Sequence, residues 1–514
     1  MEYKKPRRSH RLPKKAEELH LNNNPGAQAT VSPNLRDNIS TLESVFQQSL
    51  DFVVRQVSFG PRGKVDLALV FLETLVNQDT LSDYILKPLN YLSFEEFPPT
   101  EIPAKIIDIL PVSVKIEEET DWQKLIEQMV TGYALLFIDG YDRALALEVR
   151  AWKERSISEP QNETSVVGPR EGFVENIKTN ASLLRRRLRT PNLVLETTTI
   201  GTTTHTSIAI CYLRGVADDK LVEKVKSRVK EINVEAMYSD NLVAEMLADV
   251  RHTPFRLFAT TERPDKLASA LVEGRVGILA DNTPSALIVP SVFWQFFQSS
   301  EDYYEHYPLA AINRGLRMLS FFIVVGLTAA YVAAATFHQE MIPTPLLLAM
   351  AAARAPVPLP TVLEALLLEV ILEGLREAGL RLPKPAGQAV SIVGALVMGQ
   401  AAVEAGLVSP QVVIAVGLGA IASFLIPDYS FVNALRILKF LFIVLAGAFG
   451  AYGLVLGYMA LGIHLNSLHS FGVPYTAPVT PFSSRDMRDI FIRAPWWILG
   501  RKSSGGGGDS GEKN

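Results

Sequence analysis

Five ionisable side chains crowd an otherwise apolar stretch: Glu364, Glu369, Glu373, Arg376 and Glu377 stand among leucines, valine and isoleucine between 363 and 379. On a helix Glu369, Glu373, Arg376 and Glu377 share one face, while Leu366, Leu367, Val370 and Ile371 lie mainly away from it. Each such charge costs about 2.5 to 3.5 kcal/mol or more in hydrocarbon. That face must therefore turn to protein, to water or to an ion path. Arg376 is spaced to pair with Glu373 at i, i+3, and Arg381 with Glu377 at i, i+4. Three readings follow: a helix lying along an interface with its charges in water, a polar pore lining or gate, and an internal salt-bridge lock.

A second concentration of charge comes earlier. Glu159, Glu163, Arg170, Glu171, Glu175, Arg185, Arg186 and Arg187 surround Gly168 and Gly172 and a helix expected over 173–188. Acids at the start of that helix and arginines at its end suit its dipole. The stretch reads either as a well-capped helix or as an ion-paired assembly seam between lobes or subunits. Gly447, Gly450, Gly453 and Gly457 form a small-residue stripe with a GxxxG pair, the pattern of close helix packing. The phosphate loop GxxxxGK[ST], a strand-to-helix GxGxxG, HExxH, CxxC and GxSxG are all missing, and the eight histidines are scattered. No enzyme activity, cofactor or metal site is expected.

Two dissimilar parts must position these residues. Residues 318–463 number 146 and contain 13 Asp, Glu, Lys or Arg, whereas the other 368 residues contain 91. The poor part holds four charge-free runs, 318–337, 385–403, 405–427 and 440–463, each long enough to cross about 30 Å of hydrocarbon. Residues 341–353 are apolar but short and bracketed by Pro343, Pro345 and Pro356, which predicts a half-helix covered by protein or water. Glu404 stands alone at the end of a run, as a snorkelling loop residue would. The charge-rich part predicts strands at 65–71, 133–139, 143–149, 193–199, 206–213 and 276–280, with helices at 173–188, 219–232 and 264–273. Asp139-Gly140 marks a hairpin. The expected fold class is an α/β two-lobed cytoplasmic N-terminal domain followed by an α-helical polytopic membrane domain. Its parts are a basic disordered arm (1–37), lobe 1 (38–190), lobe 2 (191–310), a transmembrane domain (311–466), a C-terminal segment (467–502) and a Gly-rich tail (503–514).

A single cysteine, Cys211, excludes an intrachain disulfide and fits a reducing cytosol. No apolar leader opens the chain, and Arg314 and Arg317 flank the first span as cytoplasmic residues do. The arm carries Lys4, Lys5, Arg7, Arg8, Arg11, Lys14 and Lys15. It reads as a solvated tail or as a contact with anionic membrane lipids, worth about 1 kcal/mol per cation. A net charge of −4 gives no reason to expect nucleic acid. The cations conflict over topology. Five crossings place Arg376, Arg381, Lys384, Arg436 and Lys439 inside; four or six place Arg485, Arg488, Arg493, Arg501 and Lys502 inside, and the latter is slightly preferred.

Eight segments in order resemble one family: EPQNETSVVGPREGF (159–173), NASLLRRR (180–187), ERPDKLASALVEGRVGILADNTPSALIVP (262–290), EDYY (301–304), FHQEMIPTPL (337–346), EGLREAGLRLP (373–383), SIVGALVMGQAAVEAGLVSPQVV (391–413) and HSFGVPY (469–475). The family is that of the A subunits of GerA-type nutrient germinant receptors of endospore-forming bacteria. The resemblance implies an integral protein of the spore inner membrane that works with a transporter-like, multispanning B subunit and a lipoprotein C subunit. It implies that small nutrients trigger the complex, that monovalent cations and dipicolinate are released, and that the A subunit forms a homo-oligomer and the ion-conducting element. The transporter-like B subunit is the better place for the nutrient, so no ligand pocket is assigned here. Two alternatives stay open: a membrane-anchored scaffold subunit and a stand-alone transporter.

Overall fold

The structure is a computed structural model that describes residues 30–46, 49–59, 65–91, 101–110, 114–150, 160, 163, 167–381, 399–480, 482, 489–491, 493 and 495. Residues 1–29 of the basic arm, residues 385–398 of the expected span at 385–403, Glu159, Lys384, the side chain of Arg381, Arg485, Arg488, Arg501, Lys502 and the Gly-rich tail lie outside the described residues. The end of the arm, expected to be disordered, is ordered, with Ser32 bonded to Asn38 and a helix starting at Leu35. The chain divides into two units: Met1–Ala248 with Phe258–Pro290, and Asp249–Leu257 with Ser291–Asn514.

The first unit is α/β. Its first lobe has strands β1 (Phe52–Phe59), β2 (Val65–Leu72), β3 (Ile116–Glu119), β4 (Tyr133–Ile138) and β5 (Ala144–Glu148), with helices α1 (Leu35–Phe46), α2 (Ile102–Ile109) and α3 (Trp122–Val130). The strands form one sheet in the order β1-β2-β4-β5-β3, antiparallel throughout. Alternate residues of β2 serve two cores. Ala68, Val70 and Leu72 pack with Leu42 of α1 and Leu125 of α3, whereas Leu67, Leu69 and Phe71 pack with Ile102 and Ile106 of α2. Burial on both faces explains why VDLALVFL reads as an almost unbroken apolar run. The hairpin expected at Asp139-Gly140 joins β4 to β5, and Gly140 has φ +83.

The second lobe repeats this plan. Strands β6 (Leu193–Ile200), β7 (Thr206–Leu213), β8 (Ala259–Thr261), β9 (Val276–Ala280) and β10 (Ala286–Val289) take the order β6-β7-β9-β10-β8, again all antiparallel. Helices α4 (Ile177–Arg187), α5 (Asp219–Glu231), α6 (Asp240–Leu247) and α7 (Pro264–Val272) accompany them. The repetition reaches individual hydrogen bonds. Asn38 bonds both backbone groups of Ser32, and Asn180 does the same to Val174. The amide of Leu35 donates to Asp139 as that of Ile177 donates to Asp281. Asn180 and Asp281 each stand 142 residues after their counterparts. The two lobes are thus copies of one supersecondary unit. The copy begins earlier than the expected division at Thr190-Pro191: Phe173, Ile177 and Leu184 pack with Leu195 and Cys211 in the core of the second lobe.

The second unit is helical: α8 (Tyr307–Thr336), α9 (Thr344–Arg354), α10 (Thr361–Arg381), α11 (Pro410–Leu425) and α12 (Tyr429–Ser467). By length and composition α8 and α12 are able to cross a membrane. The run at 440–463, expected to be one span, is interrupted. Gly450 has φ 62 and ψ −144, outside the helical region, and the chain reverses there. The rings of Phe442 and Tyr458 lie 4.8 Å apart, where 16 helical residues would separate them by about 24 Å. A Cβ on Gly453 would strike the Leu445 carbonyl oxygen, and one on Gly457 would lie 3.2 Å from the Phe442 ring. Arms 429–449 and 451–467 therefore form an antiparallel hairpin, possible because glycine alone adopts that backbone cheaply and lets the arms approach closely. Within the expected span 405–427, α11 supplies 16 residues beginning at Pro410.

At one end of this unit Phe293, Phe297, Phe321, Phe431 and Tyr475 form an aromatic cluster. Arg314 and Arg317 do not face water as flanking cations would. Arg314 is fully buried and pairs with Asp302 and Asp489, each at 3.2 Å, and Arg317 holds Asp302 at 2.7 Å. Segment 468–475 returns to the same end: Phe293 N donates to Tyr475 O at 2.7 Å.

Candidate functional site: a buried ion network

The acidic helix expected from the sequence is α10, and three of its four acids, Glu364, Glu369 and Glu373, point inward, whereas Glu377, expected on the same face, does not. Glu369 is 1% exposed and pairs with Lys439 of arm 429–449, while Thr328 of α8 donates to its Oε1 at 3.3 Å. One turn on, Glu373 pairs with Arg436 of the same arm, with Lys439 Nζ at 3.5 Å and with Arg376 Nη1 at 3.7 Å. The i, i+3 pair expected between Arg376 and Glu373 is present. Arg376 also donates to Ser423 Oγ of α11 at 3.3 Å. Two carboxylates and three cations thus bind α10 to α12 and α11. Glu364 is fully buried and separate from them: the amide and hydroxyl of Ser409 donate to its Oε2 at 2.9 and 2.8 Å, and Arg354 of α9 approaches Oε1 at 3.7 Å. Glu377 lies exposed, as do Leu363, Leu367 and Val370 on the outward face of α10.

The sequence placed the acids on one face but not their partners. Lys439, Arg436, Thr328 and Ser423 lie 41 to 70 residues away from the acids and cations they meet. A signal existed: Arg436 and Lys439 are cations one turn apart at the head of a long apolar run. Buried ions survive only when geometry and hydrogen bonds offset desolvation, and removing one partner leaves the other strongly destabilising. Such a network can act as a latch between helices.

The glycine stripe is divided in role. Gly447 meets Val362 of α10, Gly450 makes the turn, and Gly453 and Gly457 pack on the opposite arm. Gln400 donates to Glu404, which is exposed.

The second group of charged residues does not form one cluster. Arg185 is 1% exposed and reaches across to the first lobe, where its Nε and Nη2 meet the two oxygens of Asp51 at 3.0 Å each. Burial pushes the Asp51 carboxyl up, but the Arg185 guanidinium and hydrogen bonds from Thr74 and Ser49 outweigh it and hold the group below its ordinary value. Leu50 N donates to Leu195 O beside this pair, so the lobes are pinned by backbone as well. Glu163 accepts from Thr261 Oγ1 at 2.6 Å and from Glu262 N at 2.9 Å and pairs with Lys266 at 2.7 Å. Glu171 does not cap the N-terminus of α4. It pairs with Arg187 at 2.8 Å and Arg186 at 3.6 Å, at the far end of that helix. The cap is Asn176, whose side chain accepts from the amides of Lys178 and Thr179. Glu175 offers its carbonyl to Asn282 N, and Arg170 lies exposed on the approach.

Residues 40–504 match the family described as Bacillus/Clostridium GerA spore germination protein. The chain is 44% identical over 468 residues to Spore germination protein KA of Bacillus subtilis (strain 168), covering 91% of this chain and 86% of the relative. It is 41% identical over 487 residues to the uncharacterized membrane protein YfkQ of the same organism, covering 94% of each. Among solved structures, the crystal structure of the N-terminal domain of the A subunit of the Bacillus megaterium spore germinant receptor GerK3 is 29% identical, with a TM-score of 0.40 and coverage of 51% of this chain and 97% of that one. By sequence over nearly its whole length, this chain belongs to the GerA family of spore germination proteins.

Proposed function

We propose that the chain is the A subunit of a nutrient-responsive germinant receptor of the spore inner membrane. It acts beside a transporter-like B subunit and a lipoprotein C subunit, and its helical unit carries germinant sensing into ion release as an oligomeric element. The observation that carries this reading is the buried network of Glu369, Glu373, Arg376, Arg436 and Lys439 among the apolar helices of this unit. Intramembrane charge of this kind marks an ion path or its gate. The helical unit crosses the bilayer six times. Helices α10 and α11 run parallel, since Glu364 lies by Ser409 and Arg376 by Ser423, an arrangement that six crossings accommodate. The α/β unit and the C-terminal segment then share the cytoplasmic side.

The test is cation release from spores after nutrient addition, with receptor abundance followed by immunoblot. Glu369→Gln leaves Lys439 buried beside a neutral amide and should change the rate or nutrient dependence of release. The double exchange Glu369→Lys with Lys439→Glu should restore part of it. Unchanged release at normal abundance in Glu369→Gln and Glu373→Gln would sink the gate and favour a scaffold subunit.

A further inference from the structure

The chain does not pass directly from α6 to β8. Helix α6 ends at Leu247 and β8 begins at Ala259, and the segment between them, Asp249–Leu257, belongs to the helical unit. Connectors that only join elements run over the surface with polar residues. This one buries Phe255, 2% exposed, and Leu257, 3% exposed, in the core of the helical unit. The Phe255 ring lies 6.1 Å from Phe431 and 6.2 Å from His464. Phe431 opens the first arm of the α12 hairpin and His464 closes the second, so one side chain bridges the two open ends. Three hydrogen bonds hold the segment around it. Phe471 N donates to Asp249 Oδ2 at 2.5 Å, Ser470 Oγ donates to Leu257 O at 2.5 Å, and Thr253 Oγ1 and His464 Nε2 stand 3.0 Å apart. On the arm that Phe431 opens, Arg436 and Lys439 follow five and eight residues later, about 7.5 and 12 Å along the helix.

We propose that Asp249–Leu257 is a transmission strap and Phe255 its positioning residue. A displacement of the second lobe draws on the strap at Ala248 and Phe258. The strap shifts the base of the hairpin, and Arg436 and Lys439 move against Glu373 and Glu369. Packed helices move between discrete arrangements rather than deforming continuously, so a small pull at Phe255 is enough to exchange one pairing for another. The inference rests on the receptor reading above and adds to it the route by which the soluble lobe reaches the ion network.

The test uses the full-length chain in spores, with wild type, a deletion and three variants. Phe255→Ala should slow nutrient-triggered cation release about tenfold, the size of a coupling loss, at unchanged receptor abundance. Phe255→Leu, which keeps an apolar side chain in the socket, should restore it. A short Gly-Ser insertion between Arg251 and His252, both exposed, leaves Phe255 seated and slackens the strap. It should slow release in the same way. If deletion of the chain leaves release intact, the receptor reading fails. If wild type restores release and the insertion variant restores it equally, the strap is overturned whatever Phe255→Ala does.

Discussion

Arg185 shows how much a single buried side chain can hold. Its guanidinium ties the second lobe to Asp51 of the first, and both groups are almost wholly withdrawn from water. Removing one member of such a pair costs about 3 to 5 kcal/mol, because the other stays buried and uncompensated. Cys211 provides the probe. Burial pushes its thiol up to about 12, so it stays protonated and unreactive until the lobe opens. Arg185→Ala should therefore raise the rate of Cys211 alkylation in the detergent-solubilised chain by about a hundredfold, the population change that ~3 kcal/mol produces when opening limits labelling. An unchanged rate would show that Arg185 does not hold the lobes together.

The hairpin of α12 depends on Gly450. Its φ and ψ fall where only glycine is comfortable, so any side chain there adds about 1 to 3 kcal/mol of backbone strain. A Cβ would also come within 2.9 Å of Phe337. Gly450→Ala should lower the steady-state level of the receptor several-fold. Gly462→Ala, whose Cβ would meet nothing within 4 Å, should leave it unchanged. Equal levels for the two variants, measured by immunoblot of spore membranes, would mean that the chain does not turn at Gly450.

For the whole molecule the six-crossing arrangement makes a sided prediction. Because native Cys211 is buried, cysteines introduced elsewhere can be labelled without background. Glu340, 73% exposed beyond the end of α8, and Phe482, 72% exposed past the hairpin, should lie on opposite sides of the membrane. A membrane-impermeant maleimide should label Glu340→Cys in intact cells, and Phe482→Cys only after permeabilisation. Labelling of both from outside would give an odd number of crossings and refute the arrangement.

Periodicity and charge were enough to separate an α/β part from a helical one and to predict most of its long strands, because alternation and apolar runs are local properties. They also placed Glu369, Glu373 and Arg376 on one helical face, and the motifs carried the family. The tertiary structure decided the rest. The duplication of the lobes was hidden because only a few backbone-bonding residues repeat, among them Asn38 with Asn180 and Asp139 with Asp281, while the core positions changed identity freely. Gly450 read as one of a packing stripe, since a reversal in a charge-free run leaves no mark in composition. Arg185 found Asp51 across 134 residues, and Glu369 found Lys439 across 70. Ion pairs at such separations have no sequence period. They exist only where packing brings two helices or two lobes together and withdraws both charges from water.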